Sequence, residues 1–118
     1  MANARRGEIE AVLDGTPRVL VLTLGALAEL ESAFGAEDLT ALAGRFERGR
    51  LSARDAARII VAGLNGAGAG VTLDEVEAMR AEGGAAGFAR IVARLLSATF
   101  GGTEEEDDAA SPPPPRQA

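Results

Sequence analysis

The side chains in this sequence that can do chemistry are Asp, Glu, Arg, Ser and Thr; Cys, His, Trp, Tyr and Lys are absent. Carboxylates are therefore the natural candidates for general acid or base work. They cluster as Asp74, Glu75 and Glu77, and as Glu29 and Glu31. The first group reads as the opening turn of a helix, where the helix dipole favours negative charge. Glu29 and Glu31 stand two apart on a helical stretch and so do not face each other. Ser32, Ser52 and Ser97 have no imidazole and no lysine to activate them. Without thiolate or imidazole there is no disulfide framework, no Cys or His zinc site and no haem ligand except Met. The expectation is a protein with no enzymatic activity, no cofactor and no metal.

Two further patterns invite a ligand and fail on chemistry. Asn65-Gly66-Ala67-Gly68-Ala69-Gly70 looks like a phosphate loop, but a helical segment precedes it and no Gly-Lys-Ser/Thr closes it. It reads as an interhelix loop. Glu104-Glu105-Glu106-Asp107-Asp108 could draw calcium, but an oxygen cage needs alternating ligands and a turn glycine. It reads as a solvated acidic run.

All 12 basic residues are Arg, against 18 acids, for a formal net charge of −6. Arg45, Arg48, Arg50, Arg54 and Arg58 make one local basic stretch across two short helices, diluted by Glu47 and Asp55. That spacing admits a helix-turn-helix reading and a small DNA-binding regulator. The acidic balance of the whole chain opposes phosphate backbones, so no nucleic acid is expected. An acidic protein segment, or the chain's own acidic tail, matches the stretch better. These five arginines, with Val19 and Val21, are the candidate partner-binding residues.

The elements that must position them follow from periodicity. Glu8 to Leu13 and Arg18 to Thr23 are short apolar runs flanking Asp14-Gly15, a hairpin signal. Val19 and Val21 share one face of the second run; Leu20 and Leu22 share the other. Both faces are apolar, which asks for helices on one side and a further cover, such as a partner, on the other. From Thr23 the period becomes helical. Leu24, Leu27, Leu30 and Phe34 form the first stripe, capped by Thr23 and stopped by Gly35; Leu39, Leu42 and Phe46 form the second, from Asp38 to Gly49. Ser52 and Asp55 open the third helix; Thr72 and Glu75 open the fourth, with Val76 and Met79 on its stripe and Glu82-Gly83-Gly84 ending or kinking it. The last carries Phe88, Ile91, Val92, Leu95, Leu96 and Phe100.

The expected fold is thus α+β and mostly helical: an N-terminal β-hairpin, about five short α-helices, and a disordered C-terminal tail. Residues 1–6 read as a flexible lead, 7–102 as a single domain and 103–118 as the acidic, Pro-rich tail, which has no Val, Ile, Leu, Met or Phe to drive ordering. No stretch reads as a transmembrane span or as a signal peptide.

Five stretches carry a family resemblance: Arg6-Gly7-Glu8, Leu22 to Glu31, Arg50 to Asp55, Glu82 to Ala86, and the closing Leu95-Leu96 with Phe100-Gly101. In this order and spacing the chain resembles the small tail protein of alphaproteobacterial gene transfer agents, the tail tube or tail assembly chaperone family. The resemblance implies a role in building a phage-like tail. It implies tape measure and tail tube proteins as partners, is compatible with a homo-oligomer, and involves no membrane. Of the two roles the family name covers, one hairpin and many helices favour a chaperone. Such a protein acts in the bacterial cytoplasm and leaves before the particle is complete. The alternative is a structural subunit retained in the tail.

Overall fold

The computed structural model describes residues 2–48 and 51–101, without the side chain of Ala4. A 3-10 turn, Ala4–Arg6, leads into strands β1, Glu8–Leu13, and β2, Thr16–Val21. Five helices follow: α1, Leu24–Phe34; α2, Leu39–Glu47; α3, Ala53–Gly66; α4, Leu73–Glu77; and α5, Gly84–Phe100. The α+β reading, with one hairpin and then five helices, is what the structure contains. The expectation of a disordered tail falls on residues 103–118, which lie outside the described residues.

The hairpin forms because Asp14 and Gly15 both adopt positive φ, 54° and 74°. That is the tight two-residue turn whose twist matches antiparallel strands. Leu13 pairs with Thr16, Ala11 with Arg18 and Ile9 with Leu20. The second strand begins at Thr16, two residues before the expected Arg18, because the turn needs only Asp14 and Gly15. The turn is also tied down at long range. Asp14 N–H donates to the Arg80 carbonyl at 2.8 Å, and Arg80 N–H donates to Asp14 Oδ1 at 2.9 Å.

Period-two alternation sends Ile9, Ala11, Leu13 and Leu20 to one face of the hairpin, where all four are buried. Helices α3 and α5 cover that face. Ile59, Ile60 and Leu64 of α3 and Ile91, Val92 and Leu95 of α5 complete the centre of the core. Gly63 sits at this crossing. A Cβ there would stand 2.7 Å from Leu95 Cδ2 and 3.1 Å from Leu20 Cβ. Glycine thus sets the distance at which α3 lies on the hairpin and α5. A second lobe of the same core joins Leu27 and Leu30 of α1 to Leu42 and Phe46 of α2.

Helix ends follow the expected chemistry. Thr23 accepts from Ala26 N–H, Asp38 from Ala41 N–H, and Gly35 closes α1 in the left-handed conformation. Ser52 with Asp55, and Thr72 with Glu75, form reciprocal capping boxes on α3 and α4. Two helix boundaries differ. Helix α3 runs on through Asn65 and Gly66, expected in the loop, and the turn to the next helix begins only at Ala67. The fourth helix stops at Glu77, so Met79 and the Glu82-Gly83-Gly84 break lie beyond it. The chain instead crosses to β1, where Ala81 bridges to Leu13, and restarts at Gly83 with φ 89°. Helix α3 depends on its cap, since Ser52 Oγ accepts from Asp55 N–H at 3.0 Å and Asp55 Oδ2 from Ser52 N–H at 3.2 Å. Replacing Ser52 by alanine is expected to cost about 1 kcal/mol, read as a lower urea midpoint with unchanged slope. An unmoved midpoint would mean that packing alone holds the start of α3.

Candidate functional site: an apolar groove between α3 and α5

Among the described residues, one feature suited to hold a ligand is a groove of about 760 Å³. Phe46, the last buried residue of α2, and Leu51 close one end. One wall is α3, through Ala53, Ala56, Ala57 and Ile60; the other is α5, through Phe88, Val92 and Leu96. On α5, Ala85, Ala89 and Ala93 repeat every fourth residue along the groove, and all three are exposed. Small side chains on both walls leave room for a partner's backbone to approach closely. The large apolar groups between them supply area whose burial is worth roughly 25 cal/mol per Å².

Few polar groups reach the groove, and those few are engaged within the chain. Ser52 is consumed as the α3 cap. Arg54 Nε lies 3.4 Å from Glu77 Oε2 across the rim, with the arginine side chain 64% exposed. An ion pair this wet is worth at most about 1 kcal/mol. No group of three or more acidic side chains gathers in metal-binding geometry among the described residues. The chemistry on offer is apolar capture.

The arginines expected at the site divide over two elements. Arg54 and Arg58 lie one turn apart on α3, and Arg54 is spent on Glu77. Arg45 and Arg48 flank Phe46 at the end of α2. The Arg45 guanidinium sits 5.0 Å above the Phe34 ring, a cation–π contact that fixes it against α1. Arg48 is exposed, and Arg50 lies outside the described residues. Val19 and Val21 stand together on the outer face of the hairpin, opposite Glu10 and Glu8, half-buried, with Val12 of the same face 50% exposed. The structure therefore provides a groove, a divided arginine surface and a partly apolar sheet face as three separate places.

The groove residues were legible only as apolar stripes. Phe46, Phe88, Val92 and Leu96 read as core from spacing, and Val92 is both core and groove floor. The signal that marks the groove is the width of the α5 stripe. Ile91 and Leu95 already satisfy the core, so Phe88 and Leu96, beside the exposed alanines, belong to a second face.

Comparison with known proteins gives one finding: a family described as phage tail tube protein, GTA-gp10 matches residues 6–102. No curated protein and no solved structure matches the chain.

Proposed function

Because the chain belongs to the phage tail tube protein, GTA-gp10 family, we propose that it is a non-catalytic structural subunit of a phage-like, gene-transfer-agent tail, associated with the tube. The observation that carries this reading is the open groove of about 760 Å³ between α3 and α5. An apolar surface left open on one chain is an expected docking place for another tail protein. This reverses the weight given to the two family roles by sequence alone, since the family description names the tube itself.

A second reading keeps one specific support. Among the described residues the sheet has only two strands. A closed β-ring built by such a subunit would need strands from its neighbours. A tail assembly chaperone needs no ring. In that role the groove shelters apolar segments of the tape measure protein and releases them as the tube forms.

Quantitative mass spectrometry of purified particles separates the two. Presence in a fixed ratio to the other tail proteins supports the subunit; absence from finished particles, with tails still dependent on the gene, refutes it in favour of the chaperone. The groove itself is tested by Ala89→Glu, which places a charge on an exposed wall position. Thermal unfolding is expected to stay within about 0.5 kcal/mol of the parent, as for ordinary surface changes, while tail assembly falls. Full assembly by this variant would remove the groove from the function.

A further inference from the structure

The end of α5 delivers the chain to the arginine surface of α2. Phe100, the last residue of α5, packs on Phe46 with ring centroids 6.3 Å apart, and Gly101 turns the chain off the helix in the left-handed conformation. Phe46 lies between Arg45 and Arg48 in the last turn of α2. Neither arginine has a carboxylate within ion-pair distance among the described residues, where the pairs are Arg6–Glu8 and Arg54–Glu77. Arg45 Nε is buried and has no hydrogen-bond partner. Glu47, two residues after Arg45 and one before Arg48, projects elsewhere, since neighbours one or two apart on a helix do not face each other.

Three residues beyond Gly101 the sequence places five consecutive acids, Glu104 to Asp108. At no more than roughly 3.3–3.6 Å per residue, the chain reaches at most about 11 Å from Gly101 at Glu104 and about 25 Å at Asp108. Helix α2 is about 13 Å long at 1.5 Å per residue, so its arginines fall inside that reach. Five adjacent like charges repel one another and favour any fixed cation nearby. The Phe46–Phe100 contact brings Arg45 and Arg48, neither of them in an ion pair among the described residues, to the end of α5 from which the run departs.

We infer that Glu104–Asp108 docks in cis on the Arg45–Arg48 surface of α2, so that the chain's own acidic run is the resident ligand of that surface. The contact is electrostatic and therefore sensitive to salt. It keeps these arginines from acidic or phosphate-bearing competitors until a partner displaces the run. This holds whichever tail role the protein plays, since it rests on the α5 exit and the charges alone.

The chain has no cysteine, so Ala109→Cys accepts a single spin label in the full-length protein. Amide resonances of Arg45–Arg48 are expected to lose intensity at ~0.01 M salt, where the Debye length is about 30 Å, and to recover at ~1 M, where it is about 3 Å. They are also expected to recover at low salt in the labelled chain carrying Glu104→Gln, Glu105→Gln, Glu106→Gln, Asp107→Asn and Asp108→Asn. Equal broadening in the neutralised chain would show mere tethering and overturn the inference, as would no broadening in the acidic one. Broadening carried from a spin-labelled chain to an isotopically labelled, unmodified one would assign the contact to a neighbouring copy and overturn docking in cis. Unchanged amide shifts of Leu20 and Leu95 verify that each variant keeps its core.

Discussion

Gly66→Ala is expected to cost about 3 kcal/mol, among the largest losses available to a single methyl group in this fold. Gly66 is the last residue of α3, and its Cα rides on β2. A Cβ there would collide with the Val21 carbonyl oxygen and stand 3.1 Å from its carbon. Both atoms belong to the strand backbone and cannot swing aside as a side chain would. Relief requires α3 to lift from the hairpin, which opens the interface holding Leu20, Ile60 and Leu64. For a domain near 100 residues, with total stability of roughly 5–15 kcal/mol, such a loss is severe. Equilibrium urea unfolding measures it. Gly44→Ala supplies the contrast: it sits within α2 with nothing within 4 Å of the added Cβ. That change is expected to stabilise by about 0.5–1 kcal/mol through backbone entropy and helix propensity. If both substitutions shifted the midpoint the same way, the close approach of α3 to β2 would be wrong.

Leu95→Ala is the second large effect. Leu95 is fully buried where α5 meets α3 and the hairpin. Removing its isobutyl group deletes transfer free energy and leaves a cavity, together about 2–5 kcal/mol. The position also has a built-in test of geometry, because Leu95 Cδ2 is the atom that an alanine at 63 would strike first, at 2.7 Å. Gly63→Ala alone is expected to cost about 1–3 kcal/mol from overpacking. Combined with Leu95→Ala the clash disappears and the new methyl partly fills the hole. The double variant should lose at least about 1 kcal/mol less than the sum of the two single losses. Additivity within about 0.5 kcal/mol would show that the two residues do not meet. The Leu20 contact at 3.1 Å remains in either background, so full rescue is not expected.

Much of the fold was legible because its signals are local. Asp14-Gly15 set the hairpin through positive φ, which few other residue pairs accept. Thr23, Asp38, Ser52 and Thr72 each start a helix by accepting a backbone N–H within their own first turn. These contacts span three residues, so a linear reading finds them. The length of α4 was not legible. Val76 and Met79 keep a helical stripe on paper, yet the helix stops at Glu77, because residues 80–81 bond to Asp14 and Leu13 instead. That competition spans some sixty residues and leaves no periodic mark.

The candidate site divides along the same line. Composition alone fixed the absence of thiol and imidazole chemistry, and the order of short Leu-, Ala- and Gly-rich strings pointed to the tail family that residues 6–102 match. Only the tertiary structure separated Arg45, held over Phe34, from Arg54, held by Glu77. Only packing showed that Phe88 and Leu96 face a groove while Ile91 and Leu95 face the core. The reason is physical. Caps, turns and residue types act within one helical turn of chain, whereas a groove is the space two distant helices fail to fill, and its width is set by side-chain volumes at a crossing no single segment contains.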